Sequence, residues 1–401
     1  MIGQGVGDGT ADSTTVAASR RAGAGDDRTW RRTFVTLCAA QAVAMLAFGM
    51  ALPFLPLYVQ RLGVADPRAA ARWAGAMSAG GALVMAAMAP VWGAIADRRG
   101  RKLMVARALF GGGAVVGLMS LAQSPLQLLG LRTAQGAFSG TVSASRTLLA
   151  SIVPAAELGF ALGVMQTAAF VGASFGPLIG GVVADRFGFG VTFVATGLLL
   201  VLAGVAVVYL VHEDFRPPKP AGDGKGESLR GSLRLVIEVP GLAALIATLF
   251  FVQAGTNAIG PILPLFVGSL LPETHGSVAS LAGLILGSTA ITSALAAGVA
   301  GKLGDRYGHE RVVAGCAICG GLLYLPQALV TSPWQLLALR AGLGLFVGGL
   351  MPGVMATIAL RTPAARRGWI FGLTTTATSL GNAAGPLAGA AAAGTFGLRA
   401  P

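Results

Sequence analysis

The sequence predicts an all-α polytopic membrane protein made of two parallel six-helix repeats. Three observations carry that expectation. Of 401 residues, 54% are apolar and only 11% charged, with a mean hydropathy of +0.72. A soluble domain of this size needs far more charge to coat its surface. The apolar residues fall in blocks of about twenty, the length that crosses a hydrocarbon core of roughly 30 Å at about 1.5 Å per residue. The third observation is that the chain repeats itself at a constant offset.

Residues 1–30 are rich in Gly, Ala, Asp, Ser and Thr without periodicity and read as a disordered cytoplasmic tail. Arg31-Arg32 then opens the first apolar block, which is too long for an export-signal core and leads into further blocks. Eleven spans follow, at about 33–58, 73–95, 103–122, 126–148, 160–183, 190–211, 241–267, 278–300, 312–331, 334–357 and 369–393. The stretch at about 212–236 is rich in Pro, Gly and Lys and reads as a flexible linker between a first bundle, 31–211, and a second, 237–401.

The repeat is visible in exact residues. Pro53 and Pro56 reappear as Pro261 and Pro264; Gly93, Asp97, Arg98 and Gly100 as Gly301, Asp305, Arg306 and Gly308; Arg132 and Gly136 as Arg340 and Gly344. All are displaced by 208 residues. Beyond the fourth span the displacement is 209, so that Gly172, Gly176, Pro177 and Gly180 return as Gly381, Gly385, Pro386 and Gly389. The sixth span predicts a twelfth beginning near 399, and the expectation is that this helix is absent from the sequence. Parallel repeats about a membrane-normal axis place a cavity between the halves near the midplane.

The net charge of +13 points to the membrane and not to nucleic acid, because of where the charge lies. Of 29 Lys and Arg, 22 fall in one alternating set of segments, including the tail, the 98–107 loop, Arg146 and the linker. The positive-inside rule then sets the N-terminus and these segments in the cytoplasm, and the protein in the cytoplasmic (inner) membrane. Arg132 and Arg340 read as the only charges deep in spans, and such a cation should face a cavity or a partner. Cys316 and Cys319 match a metal or redox pair in spacing, but on an apolar helix they read as packing. The three histidines make no metal constellation, no phosphate-binding loop with its GK[ST] is present, and no enzyme signature or cofactor motif stands out.

Three motifs carry chemistry. Gly93, Asp97, Arg98, Gly100, Arg101 and Lys102 lie between spans two and three, where glycines permit a tight turn and Asp97 can sit against a helix N-terminus. Arg132 stands with Gln135 and Gly136. In span five, Gly163, Gly172, Gly176, Pro177, Gly180 and Gly181 interrupt an apolar helix: glycines four apart give one close-packing face and the proline a bend. Neutral polar residues inside spans are few, and Gln41, Gln166, Gln253, Asn257 and Asn382 are the candidates for a substrate cavity. Sparse polar groups on apolar walls suit lipophilic molecules.

Over about 33–395 these motifs resemble the major facilitator superfamily, and in particular its twelve-helix drug:proton antiporters. The resemblance implies a secondary transporter, working as a monomer, that exports drugs by exchange with protons. It implies a latch between the halves made by Asp97 and its neighbours, docking near Gly368 and Trp369, with a weaker second copy at Asp305, Arg306 and Gly308. It makes Arg132 and Asp97 candidates for coupling and marks the span-five glycines as an antiporter hinge. None of the sixteen acids lies mid-span, so the proton carrier is not legible; Asp185 at a membrane edge is the other acid that suits it. An uptake permease for a small polar solute and a non-transporting membrane sensor are the alternatives.

Overall fold

The computed structural model describes residues 12–154, 157–213, 215, 241–271, 277–362 and 367–400, with backbone alone at 12–29, 367–369 and 371. Every regular element among them is helical. The first half comprises α1 (Asp12–Ala51), a 3₁₀ turn at Leu52–Phe54, α2 (Leu55–Arg61), α3 (Pro67–Arg99), α4 (Arg101–Leu118), α5 (Pro125–Phe138), α6 (Thr141–Ile152) and α7 (Leu158–Leu210). The second comprises α8 (Leu242–Ile259), α9 (Leu263–Ser269), α10 (Val278–Tyr307), α11 (His309–Gln327), α12 (Pro333–Arg361) and α13 (Arg367–Phe396). Eight helical stretches among the described residues are long and apolar enough to cross a membrane. The other three expected spans correspond to α5 with α6, each left too short by the break between them, and to α11 and α13, made less apolar by a charged first turn and by an Ala, Gly and Thr composition.

Several boundaries differ from the sequence expectation. Helix α1 starts at Asp12, so 12–30 is not an irregular tail: once the first span has nucleated a helix, each alanine or arginine upstream adds to it at little cost. Residues 1–11 and most of the linker lie outside the described residues. Spans one and seven are each bent by a proline pair, Pro53 and Pro56 in one and Pro261 and Pro264 in the other. Span four is two helices, since the chain breaks at Ser139 and Gly140 (φ +109°). Spans five and six run on as the two arms of α7, 158–187 and 189–210, turned by Gly188 alone at φ +86°.

The loop glycines act the same way. Gly100 and Gly308 are single-residue junctions, between α3 and α4 and between α10 and α11, at φ +94° and +91°. A side chain at those angles is strained, so the motif needs glycine there.

Packing divides the molecule into two ends. At the end away from the basic loops one apolar cluster joins both halves, with Phe54, Leu55 and Val59 from one and Ile262, Leu265 and Ala279 from the other. Toward the basic end the clusters separate, one around Leu37, Leu109 and Leu200 and another around Leu242, Val354 and Ile358. The halves are thus joined at the far end and parted at the basic end. On Tyr58 the second arm of α7 packs Phe193 and Phe189, at 5.1 and 5.9 Å between ring centres. At the matching place in the second half, beside Phe266, lies a cavity of about 200 Å³.

Candidate functional site

The site is built on four helices in two equivalent pairs. Gly172, Gly176 and Gly180 of α7 lie so close to α1 that a Cβ would collide with the carbonyls of Ala42, Leu46 and Met50. In the second half Gly381, Gly385 and Gly389 of α13 meet the carbonyls of Phe250, Ala254 and Ala258 on α8. Both sides of each contact are spaced by four residues, one helical face against another, so backbones touch where side chains would hold them apart. Gly181 turns the other way, onto Ala279 and Ser280 of α10, and Pro177 is flanked by Gly49 of α1 and Gly283 of α10. Gly163 has open space around it, so that motif position packs against nothing described.

Two contacts join the halves at the far end. Against α7, α10 places Gly283 and Gly287; against α13, α3 places Gly75, which meets Ala390 and the carbonyl of Pro386. The first contact is closed by Asp185, whose two carboxylate oxygens accept from the backbone amides of Ala279 at 3.2 Å and Ser280 at 2.6 Å. Those amides are orphan donors at the start of α10, whose own cap residue Ser277 supplies no side-chain bond. A carboxylate there satisfies them and opposes the helix dipole favourably. Toward the basic end the same helices part: Gly93, Gly298, Gly301 and Gly372 have open space around them, and Leu295 and Val299 are 70% and 59% exposed.

The polar candidates fall in three places. Gln253 Nε2 and Asn257 Nδ2 both donate to Asn382 Oδ1, at 2.8 and 2.9 Å, which ties α8 to α13 through one shared acceptor. Gln166 of α7 accepts from Arg146 of α6. Gln41 does not line the opening. It is 2% exposed, on the face of α1 that carries Leu37 and Ala44 into the core, and its amide has no partner among the described residues.

The Major Facilitator Superfamily model matches residues 37–274 and 245–401, nearly the whole chain in two stretches. The chain belongs to the major facilitator superfamily. Curated relatives include the multidrug resistance protein MdtG of Dickeya zeae, 36% identical over 92% of this chain and 90% of that one. MdtG of Serratia proteamaculans is likewise 36% identical, over 92% and 89%. Among solved structures, the nucleoside transporter NupG aligns with a TM-score of 0.73 at 15% identity, over 90% of each chain. A bacterial homologue of the human lysosomal transporter Spinster, inward-facing and unoccupied, aligns with a TM-score of 0.70 at 17% identity, over 90% and 81%. These two likenesses speak to the fold.

Asp97, Arg98 and Arg99 are exposed, and Asp97 makes no hydrogen bond or ion pair among the described residues. Its expected docking region falls partly at 363–369, outside the described side chains. The helix N-terminus beside the motif is held by a different acid: Glu213, just past the second arm of α7, accepts from the amides of Arg101 and Lys102 at 2.8 and 2.7 Å. Asp97 lies in the last turn of α3 and so on the wrong side of Gly100 to cap α4. In the second copy Asp305 meets His309 Nε2 at 3.4 Å.

Arg132 donates to Gln135, one turn on, and lies against Gly81 of α3, where a Cβ would stand 2.7 Å from its Nη1. No carboxylate pairs with it among the described residues. Arg340 is buried in the second half, its guanidinium 5.9 Å from the ring of Tyr324.

Two further cations lie inside spans, where sequence reading assigned them to basic loops. Arg107 of α4 stacks 3.9 Å over Trp92 and donates to the carbonyls of Ala137 and Ser139, at 2.8 and 3.3 Å, while Trp92 Nε1 also donates to Ala137 at 2.8 Å. These are carbonyls that the break in span four leaves without helical partners, so Arg107 and Trp92 cap the end of α5 from outside. Arg146 is the other. Arg107 was grouped with the run of charge at 98–102 and Arg146 was counted alone near the end of span four, and neither placement showed how far each helix continues past them.

Proposed function

We propose that the chain is an exporter of drugs or other lipophilic small molecules in the cytoplasmic membrane, working by alternating access and driven by proton exchange. The basic end with its loops, the linker and the N-terminus then lie in the cytoplasm, as the positive-inside rule requires. One observation carries the reading: the halves meet at the far end through paired glycine contacts and Asp185, while at the basic end their cores separate and leave apolar side chains such as Leu295 and Val299 exposed. The opening so formed receives lipophilic molecules from the cytoplasm and inner leaflet, and it lacks the dense array of donors and acceptors a sugar would need. The MdtG relatives favour drug export over uptake.

In this reading Asp185 is a better coupling candidate than Asp97 or Arg132. Its carboxylate sits on a contact between halves that must break when the far end opens. Asp97 and its neighbours latch the basic end in the opposite state, and a single chain suffices for the cycle.

The test is flux. Everted vesicles containing the full chain, energised by respiration, should accumulate at least one of a broad panel of fluorescent lipophilic probes, and a protonophore should abolish the accumulation. Accumulation equal to that of empty vesicles across the panel would refute export.

A further inference from the structure

Arg146 sits inside α6, six residues before its end at Ile152, or roughly 9 Å along the helix axis. Its guanidinium donates to Gln166 Oε1 on α7, and the residue is otherwise exposed. Which surface it is exposed to follows from helix phase. Helix α7 gives one face to α1, through Gly172, Gly176 and Gly180, and a nearly opposite face to α10, through Ser174, Leu178 and Gly181. At about 100° per residue two arcs remain between those faces.

One arc holds Val171, Phe175, Ile179 and Val182, all apolar and 41% to 49% exposed, which is a lipid-facing surface. The other holds Gln166, Ala173 and also Phe170, which is 48% exposed, so exposure alone does not tell the arcs apart. The repeat confirms which arc is interior, because the residue 209 beyond Ala173 is Asn382, the acceptor that gathers Gln253 and Asn257. Each half therefore sets polar groups on the equivalent arc, and Arg146 is on that of the first half.

Toward the basic end Lys302 of α10 is a second exposed cation, five residues from its helix end, and the other cations deep in the described spans are turned elsewhere. Arg107 is engaged by Trp92 and the span-four carbonyls, Arg132 by Gln135, and Arg340 is 7% exposed within the second half. The acids of the described spans stand at the ends of those spans. Gln166 satisfies one N–H of Arg146 and none of its charge. A cation in a region of reduced dielectric, partnered only by a neutral amide, attracts an anion and repels a second cation.

We propose that Arg146 is the charge-selecting residue of the cavity, and that the transporter carries lipophilic organic anions, such as carboxylates and sulfonates, in preference to cations. The guanidinium offers a paired donor edge to either anion. The proposal rests on the export reading and names its substrate class.

The experiment compares three probes in energised everted vesicles: the anion 8-anilinonaphthalene-1-sulfonate, the neutral Nile red and the cation rhodamine 6G. The native chain should move the anion faster than the cation. In Arg146→Gln the anion-to-neutral rate ratio should fall about tenfold, and Arg146→Lys, which keeps the charge, should recover most of it. Use of a ratio within one preparation removes differences in expression or folding. Equal or faster movement of rhodamine 6G by the native chain, or an unchanged ratio in Arg146→Gln, would overturn the proposal while leaving export standing. Movement of none of the three would take down both.

Discussion

At the residue scale, the glycines of span five are not equivalent, although sequence reading grouped them. Gly180 faces the backbone of Met50, where no side chain is present to move aside, whereas Gly163 faces open space. Gly180→Ala should therefore cost about 1–3 kcal/mol by overpacking. Gly163→Ala should stay within about 0.5 kcal/mol, or gain slightly from helix propensity. Thermal unfolding midpoints in one detergent read both, and equal midpoints for the two variants would remove the packing-face interpretation. The spacing of four residues was legible from sequence because a helix forces it. Which glycine faces which neighbour was not, because that depends on helices more than 100 residues away. Gln41 shows the same limit: its residue type suggested a cavity, but its phase beside Leu37 and Ala44 buries it.

At the element scale, helix ends explain most of what the sequence left open. Span four reads as one apolar block, yet it breaks at Gly140 because Arg107 and Trp92 cap the carbonyls the break releases. Neither residue is near the break in sequence. Two other helix starts, α4 and α10, are capped by distant acids, Glu213 and Asp185. The second is the informative one, since Asp185 and α10 belong to different halves. Asp185→Asn leaves shape nearly unchanged but exchanges a charge-assisted acceptor for a neutral one, about half as strong. With spin labels at Arg61 and Ser269, exposed positions on α2 and α9, the variant should shift the far-end distance distribution toward longer values. An unchanged distribution would mean that Asp185 does not hold the far end shut.

At the scale of the whole molecule, the duplication was the most legible feature, since residues displaced by 208 or 209 occupy matching places in the fold. The glycines of α7 on α1 and of α13 on α8 are the same contact made twice. Relative placement of the two halves was not legible, because it depends on contacts between repeats and not within them. In the proposed alternating-access cycle, one shared core at the far end and two separate cores at the basic end make one of the two states visited. Such motion is rigid-body, so opening at one end should accompany closure at the other.

The most direct test is a pair of distances measured by pulsed electron paramagnetic resonance, in a background with Cys38, Cys316 and Cys319 replaced by alanine. One pair, Arg61 and Ser269, reports the far end; the other, Phe160 and Tyr307, reports the basic ends of α7 and α10, where both residues are exposed. During transport driven by a proton gradient, the far-end pair should populate longer distances as the basic-end pair populates shorter ones. Two distances that stay fixed, or that lengthen together, would contradict alternating access.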